Sequence, residues 1–301
     1  MGDAMDQCLT NRFHIVDDFL SEESALALRS DIDAHFANPG AHNADHQLWN
    51  YWYVPDSYTY LRTSPDKVIA RDKVDGFIQA LSQWAAVNLG FAQVTWPNLS
   101  LYVPGCEQVL HNDSTNGRMG YVYSLTRNDR KTIGGETIVM QDKDLFRAFL
   151  DQAAAGIAMF DRIEPRFNRL VLFDDRVPHA VQRVEGPMDP VEGRFVLHGH
   201  ISEAGVIAQG GLHADQVKAV TDEALRELRK QASPTVKGPL VIRLTISAHG
   251  SVDGIRPILD RLASSENEDT NLFRDAVIDA LSAARFPTAT AATTANVPLI
   301  F

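Results

Sequence analysis

The 301-residue sequence has few cysteines, no long apolar run and no excess of positive charge. Its two cysteines, Cys8 and Cys106, cannot form a disulfide framework, and their spacing suits neither a zinc nor an iron–sulfur site. No stretch of about 18 apolar residues occurs, and the N-terminus lacks the basic segment and apolar run of a signal peptide. We therefore expect a protein of a reducing compartment, the cytoplasm, without a membrane segment.

Acidic residues outnumber basic ones, 39 Asp and Glu against 28 Lys and Arg, which gives a net charge of −11. The excess lies before Val206, because the later part is nearly balanced at 10 Lys and Arg against 11 Asp and Glu. An acidic surface repels phosphate backbones, so nucleic acid is not an expected partner and basic or neutral substrates fit more easily. The length suggests about two domains.

The first 90 residues contain two amphipathic helical patterns. Ser21 is a predicted N-cap, and apolar residues at spacings of three and four then continue to Phe36. A second such pattern runs from Val74 to about Gly90. Between them, residues 38–66 are predicted to be irregular and contain an aromatic cluster at 49–60. This cluster suits a lid over a binding site as well as a plug on the core.

From 94 to 201 the sequence consists of short β-rich runs separated by turn residues, with a partly helical or irregular stretch at 143–163. Several short strands at this spacing predict a sandwich or barrel of the jelly-roll kind. A glycine-rich break near 209–211 follows. We therefore predict a mainly β domain with helices over 1–208, its jelly-roll core at 94–201, and a small α+β domain over 209–301.

A metal-ligand pattern lies within the β-rich region. His111 and Asp113 are two residues apart at the end of a predicted strand, so both side chains project from the same face. His179 follows another strand and a polar turn, and a barrel can place it opposite the first pair. Two histidines and one carboxylate leave three positions of an octahedral iron(II) open, two for a chelating oxo-acid and one for dioxygen. The H-x-D triplet alone also fits a surface ion pair.

Arg194 begins the strand that follows His179. A planar guanidinium can hold the distal carboxylate of 2-oxoglutarate in a bidentate pair while the oxo-acid end binds iron. The alternative for Arg194 is a surface position on an edge strand. Arg183 is the rival anchor, but it lies only four residues after His179, too close to reach the far end of the cosubstrate.

With these residues in place, the sequence resembles the prolyl-4-hydroxylase-like branch of the iron(II)/2-oxoglutarate-dependent oxygenases over about residues 13–201. The matching pieces are FHIVDDFLSEE, LYVPG before HND, YVYSLT followed by GGETIV, NRLVLFDDRVPHAV and RFVLHGHI. The resemblance implies a double-stranded β-helix, that is, a jelly roll, which uses iron(II), 2-oxoglutarate and O2, with ascorbate as a further candidate cofactor.

The resemblance also assigns residues. It implies that His111, Asp113 and His179 are the metal ligands, that Arg194 anchors the cosubstrate, and that Tyr102 and Tyr123 are pocket-wall or cosubstrate contacts. The sequence departs from the family between His179 and Arg194, where GPMDPVEG is expected to form a longer hairpin. Asp113 favours hydroxylation, because halogenating relatives have a small residue there. His200 stands where the nucleic-acid demethylase branch has an arginine, which disfavours nucleic-acid repair.

Residues 239–301 resemble, more weakly, the C-terminal domain of TonB-type energy transducers, through VIRLTISAHGSV, NLFRDAVIDALSAARFP and VPLIF. We expect this module to form a homodimer or to present the substrate. The predicted activity is 2-oxoglutarate-dependent hydroxylation of a peptidyl residue or an amino-acid-like substrate. The alternatives are a catalytically silent metal-binding scaffold and a related oxygenase that desaturates or epimerises.

Overall fold

The computed structural model describes residues 8–38, 48–114, 116–141, 159–231, 236–264 and 269–301. The chain is mainly β within these ranges. The strands β1 to β18 are, in chain order, Phe13–Val16, Asn50–Val54, Tyr58–Thr63, Gln93–Val94, Asn98–Tyr102, Glu107–His111, Met119–Ser124, Thr137–Met140, Phe160–Ile163, Leu170–Asp174, His179–Val181, Arg194–Ser202, Ile207–Gly210, Val236–Lys237, Pro239–Ile246, Val252–Asp260, Ala263–Ser264 and Thr293–Ile300. The helices α1 to α5 are Glu22–Ala37, Arg71–Asn88, Ala214–Ala224, Arg226–Gln231 and Thr270–Ser282.

The two predicted N-terminal helices are present as α1 and α2. The hydroxyl of Ser21 accepts a hydrogen bond from the backbone N–H of Ser24 at 3.2 Å and so caps α1 as predicted. The apolar face of α1 is buried through Ala25, Leu28 and Ile32. Burial of such a stripe stabilises a helix more than its intrinsic propensity does, so the spacing in the sequence identified the element correctly.

The structure divides into two compact units that are not consecutive in sequence. One unit contains residues 12–81 and 94–201, and the other contains residues 1–11, 82–93 and 202–301 within their described parts. The first part of α2 thus belongs to the β-rich unit, and its last turns group with the C-terminal residues. The predicted boundary near 208 stays a prediction.

The β-rich unit is built on a curled antiparallel sheet, which confirms the predicted jelly-roll class. The main path of the sheet runs β1-β10-β7-β12-β5-β3-β6-β11-β8-β9, and β2 pairs with β3 at its side. Residues directly opposite each other in an antiparallel pair share a face, and the faces alternate along each strand. The register pairs Arg194 with Tyr102, Val196 with Ser100, and His198 with Asn98.

Two loop predictions within this unit were wrong. Part of the predicted irregular segment 38–66 is a hairpin, because β2 and β3 pair from Asn50 opposite Arg62 to Val54 opposite Tyr58. The expected hairpin after His179 does not form, because β11 pairs with β6 and β8 while β12 pairs with β5 and β7. Of the predicted irregular stretch at 143–163, residues 160–163 form β9, and residues 142–158 lie outside the described ranges.

The second unit contains a four-stranded sheet in the order β13-β18-β15-β16. Its core is formed by apolar side chains of β15 and β18 together with Val217 of α3 and with Val277 and Leu281 of α5. From residue 239 onward the longer elements follow one another as β15, β16, α5 and β18. The likeness to TonB-type domains stays a prediction.

Among the described residues, no helix combines the length and the apolar character that crossing a membrane would need. Cys8 and Cys106 are both free thiols.

Candidate active site

The sheet brings His111, Asp113 and His179 to one place. His111 ends β6, His179 begins β11, and the two residues lie directly opposite each other in the antiparallel register. Their ring centroids are 4.3 Å apart. Asp113 follows two residues after β6, and its backbone N–H donates to the carbonyl of Asp175 at 2.8 Å. The ligand atoms of the three side chains all lie within 4.8 Å of one another.

Backbone carbonyls set the tautomer of both imidazoles. Nδ1 of His111 lies 2.8 Å from the carbonyl oxygen of Val109, and Nδ1 of His179 lies 3.0 Å from that of Val177. A carbonyl oxygen only accepts, so each Nδ1 carries the proton and each Nε2 keeps its lone pair. Such outer hydrogen bonds orient metal-binding histidines. The side-chain amide of Gln108 lies 3.0 Å from Nε2 of His111 and has to release it before that atom can bind a metal.

The carboxylate of Asp113 is held in its charged form. Burial raises its pKa, but the neighbouring His179 and the other nearby histidines outweigh burial and bring the pKa to about 2. The distance from Nε2 of His179 to Oδ2 of Asp113 is 3.5 Å. On the other side, the amide of Asn116 donates to Oδ1 of Asp113 at 3.2 Å. Burial and the neighbouring His179 lower the pKa of His111, which keeps this ring neutral as a metal ligand requires.

This donor set fits a divalent iron ion. Two neutral imidazoles and one carboxylate on one side of a metal form the facial triad of non-haem iron(II) oxygenases. Ligand atoms that bind at about 2.1 Å and at right angles lie about 3 Å apart, so the three side chains have to rotate towards one another to close the site. The cavity beside the group, of about 220 Å³, gives a chelating ligand access to the remaining positions.

Arg194 lines the same cavity and is almost completely buried, with 1% of its surface exposed. Its Nη2 donates to the hydroxyl of Thr137 at 3.1 Å, and its guanidinium carbon lies 4.8 Å from the ring centre of Tyr102. Its Nε has no hydrogen-bond partner in the described part of the chain. Burial lowers the pKa of Arg194. A buried cation that lacks a carboxylate partner is a strong site for an anionic ligand.

Arg183 is placed differently. Its side chain is about half exposed and lies on the surface, where Nε pairs with Glu185 at 2.8 Å and Nη1 with Glu107 at 3.3 Å. It does not line the cavity. Arg194 is therefore the better placed of the two predicted anchors.

The two predicted tyrosines lie on opposite faces of the sheet. Tyr102 lines the cavity, and its hydroxyl donates to Oε1 of Gln108 at 3.1 Å. Tyr123 does not line it, because the register pairs Tyr123 with Leu197, whereas the cavity face at this point belongs to Val122 opposite His198. The ring of Tyr123 stacks on Phe77 of α2 at 4.9 Å, and its hydroxyl donates to Asn168 at 2.8 Å. Its predicted contact role is thus corrected to a packing role.

His198 and His200 both face the cavity, as the alternation on β12 requires. Nε2 of His198 is 2.8 Å from the hydroxyl of Ser100, and burial lowers its pKa to about 3, so this ring is neutral. His200 is different, because Nδ1 lies 3.1 Å from a carboxylate oxygen of the buried Asp175. Burial lowers its pKa, but Asp175 outweighs that effect and the net shift is upward.

The sequence did not identify the part of the wall that β2 and β3 contribute. Trp52, Tyr58, Tyr60 and Arg62 line the cavity. Tyr60 stacks on Tyr102 at 5.1 Å, and the ring of Tyr58 is 5.9 Å from that of His111. The signal was present, since Tyr58, Tyr60 and Arg62 are spaced by two and therefore share one face of a strand. The aromatic segment thus forms part of the wall of the site, whereas Tyr51 and Tyr53 are exposed and do not line the cavity.

Many solved structures resemble this chain, and three of them illustrate the likeness. A prolyl-4-hydroxylase from Pseudomonas putida has a TM-score of 0.48 and 19% identity over 66% of this chain and 97% of that one. A prolyl hydroxylase from Trichoplax adhaerens was solved in complex with a peptide fragment of the hypoxia inducible factor oxygen degradation domain. It has a TM-score of 0.44 and 16% identity over 65% of this chain and 85% of that one. The non-heme alpha ketoglutarate dependent epimerase SnoN from nogalamycin biosynthesis has a TM-score of 0.46 and 10% identity over 65% of this chain and 79% of that one.

No curated protein sequence matches the chain. Residues 97–202 match the family model described as the 2OG-Fe(II) oxygenase superfamily. The matched segment contains β5 to β12 and with them the metal-ligand group, Tyr102 and Arg194.

Proposed function

We propose that this chain is a 2-oxoglutarate-dependent hydroxylase, and the match of residues 97–202 to the 2OG-Fe(II) oxygenase family model supports the proposal. Its substrate is a peptidyl residue or an amino-acid-like molecule with an unactivated C–H bond. The observation that carries this proposal is one cavity that has the His111, Asp113 and His179 group on its wall and the buried cation of Arg194 in the same lining.

In this proposal His111 and His179 hold iron(II) through Nε2, and Asp113 holds it through its carboxylate. Iron bound there supplies the oxidative decarboxylation of 2-oxoglutarate to succinate and CO2, with transfer of one oxygen atom of O2 to the substrate. The chain's own contribution is geometric. The carbonyls of Val109 and Val177 keep both rings in the tautomer that exposes Nε2, and Asn116 orients the carboxylate of Asp113.

Arg194 and Thr137 bind the distal carboxylate of 2-oxoglutarate. The buried guanidinium pairs with the carboxylate. The Thr137 hydroxyl, which accepts from Nη2 of Arg194 at 3.1 Å, can donate its own proton to the same carboxylate. Tyr102 covers the guanidinium and excludes water from it, because both residues are nearly fully buried. A dry, prearranged site strengthens the charge pair and positions the cosubstrate for reaction.

Hydroxylation is favoured over halogenation because Asp113 supplies a third protein ligand, whose carboxylate occupies the place that a halide would need. A silent scaffold is disfavoured because Arg194 has no structural partner of opposite charge among the described residues, and a buried unpaired cation costs stability. Such a residue is explained by a ligand that binds it.

The test is turnover of 2-oxoglutarate labelled at C1 by the full chain with iron(II), O2 and a panel of amino acids and peptides. Release of labelled CO2, formation of succinate and a substrate mass gain of one oxygen atom support hydroxylation. A substrate that loses two hydrogens supports desaturation, and an unchanged mass with inverted stereochemistry supports epimerisation. Absence of any succinate in protein that binds iron contradicts the proposal.

The C-terminal residues 209–301 are proposed to be an accessory module that forms a homodimer. The strands β13 and β16 are the edges of its four-stranded sheet, and edge strands offer unpaired backbone groups to a second copy. Light scattering of the full chain tests this proposal. The cytoplasmic location stays a prediction.

A further inference from the structure

A second arginine, Arg62 on β3, lines the cavity, and nothing in the proposed reaction uses it. Its guanidinium carbon lies 4.2 Å from the centre of the Trp52 ring, and its charge and a hydrogen bond act on the hydroxyl of Tyr60. In the described part of the chain, no carboxylate lies within 4.0 Å of it. Arg62 is thus a cation on the wall of the site whose close neighbours there are neutral aromatic rings.

Arg62 and Arg194 occupy different places on the same face of the sheet. Arg62 lies opposite Ser100 and Arg194 opposite Tyr102, on the two strands that flank β5. Strand geometry separates their backbones by about 10 Å across the sheet and about 7 Å along it. Arg194 is buried beside Thr137, whereas Arg62 is partly exposed and stacks on Trp52 of the outermost hairpin strand. The two cations are therefore placed to bind two different groups.

The charges of the cavity lead to the same conclusion. Iron(II), Asp113, the two carboxylates of 2-oxoglutarate and Arg194 sum to zero. His198 is kept neutral, and His200 is paired with Asp175. Within the described ranges, no carboxylate then compensates the positive charge of Arg62 once metal and cosubstrate are bound. Binding partners tend to have complementary charges, so an anionic group on the substrate is the ligand that suits this cation best.

We infer that the substrate of this oxygenase carries a carboxylate and that Arg62 binds it, with Trp52 and Tyr60 against the neighbouring hydrocarbon. This inference rests on the proposed function and names its substrate class, an amino-acid-like carboxylic acid. The net charge of −11 favoured basic or neutral substrates, but it describes the whole chain. The local charge at the cavity decides which ligand fits, and a zwitterionic amino acid satisfies both.

The experiment measures equilibrium binding by the full chain loaded with iron(II) and 2-oxoglutarate under anaerobic conditions, where no turnover occurs. The probes are the L-amino acids and short mono- and dicarboxylic acids, each beside its primary amide. The amide keeps the shape of the acid and removes its charge. We expect acids to bind at least about tenfold more tightly than their amides, which corresponds to about 1.4 kcal/mol. Peptides with a free or an amidated C-terminus, and with or without an acidic side chain, show whether a free molecule or a peptide supplies the carboxylate.

Arg62→Gln is expected to remove the preference for acid over amide and to leave the Kd of 2-oxoglutarate unchanged. Arg62→Lys keeps the charge but loses the planar fork, so part of the preference returns. Arg183→Gln is the matched control, because it removes a surface arginine outside the cavity. Replacing the acid by its amide and replacing Arg62 remove the same interaction. Their effects on the Kd of the probe are therefore expected to be non-additive.

The inference is overturned if acids and amides bind the wild-type protein alike, or if the Arg62→Gln variant still prefers acids. A raised Kd of 2-oxoglutarate in Arg62→Gln also overturns it, because Arg62 would then bind the cosubstrate. These results differ from failure of the proposed function, which is the absence of succinate with every substrate. If the wild-type protein forms succinate, but only with neutral substrates, the proposed hydroxylase function stands and the role of Arg62 is refuted.

Discussion

Replacing Arg194 with methionine separates ligand binding from folding, because the two are expected to change in opposite directions. The variant keeps a long, unbranched side chain and removes the charge. A hydrogen-bonded pair with a charged group contributes about 1.5–3 kcal/mol, so the Kd of 2-oxoglutarate should rise about tenfold to about 150-fold. Calorimetric titration of anaerobic, iron-loaded protein measures the Kd, and succinate formation gives the matching KM.

The free energy of unfolding of the ligand-free protein should change little or rise. Arg194 is buried with an unpartnered Nε and without a carboxylate partner among the described residues, so its removal relieves a desolvation cost. The lost cation–π contact with Tyr102, about 0.5–2 kcal/mol, opposes this gain. Urea unfolding measures the difference, and Arg183→Met serves as the control for both quantities. An unchanged Kd of 2-oxoglutarate together with a clearly lower stability would refute the assignment and make Arg194 a structural residue.

Three further substitutions test the site. His179→Ala removes one of three ligands and should abolish iron(II) binding in folded protein, whereas His249→Ala, at an exposed position, should not; wild-type iron affinity in the first variant would refute the triad. Asp113→Ala should abolish hydroxylation, and the wild-type protein should add oxygen rather than chlorine in high chloride, as mass spectrometry shows; a chlorinated product contradicts this. Tyr123→Phe removes the hydrogen bond to Asn168 and should cost about 1 kcal/mol in urea unfolding with an unchanged KM for 2-oxoglutarate. A raised KM for 2-oxoglutarate would instead indicate that Tyr123 contacts the cosubstrate.

The metal-ligand group was predictable because each part of it depends on local geometry. The two-residue spacing of His111 and Asp113 fixes a common side of the chain, and the strand before His179 fixes its approach. Tyr123 shows where such reasoning ends. The alternation along β7 is regular, but only pairing with β12 decides which alternate set faces the cavity, and a shift of one residue exchanges the two faces.

The aromatic hairpin was missed for a different reason. β2 is an exposed edge strand whose apolar and polar residues show no alternation, so the segment had no clear period. The turn held a signal, since Pro55 and Asp56 separate two aromatic runs and Asp56 adopts a left-handed φ of 57°. Arg62 could not be assigned from sequence at all, because its role depends on the absence of a nearby carboxylate in three dimensions.

The last prediction concerns the end of α2, whose final turn depends on residues far along the chain. The side chain of Asn296 donates to the carbonyl of Ala86 at 2.8 Å, and the guanidinium of Arg243 donates to that of Val87. Removing residues 209–301 leaves these helix-terminal carbonyls without their partners. We therefore expect a chain of residues 1–208 to have a shortened α2 by circular dichroism and a lower free energy of unfolding. Arg243→Met in the full chain removes the hydrogen bonds to the carbonyl of Val87 and to Oδ1 of Asn296, and it should cost about 1–3 kcal/mol, less than the truncation. Light scattering on the same proteins reports any dimer. A truncated chain that keeps full helicity, stability and 2-oxoglutarate affinity would contradict this reasoning and support an independent domain that ends near residue 208.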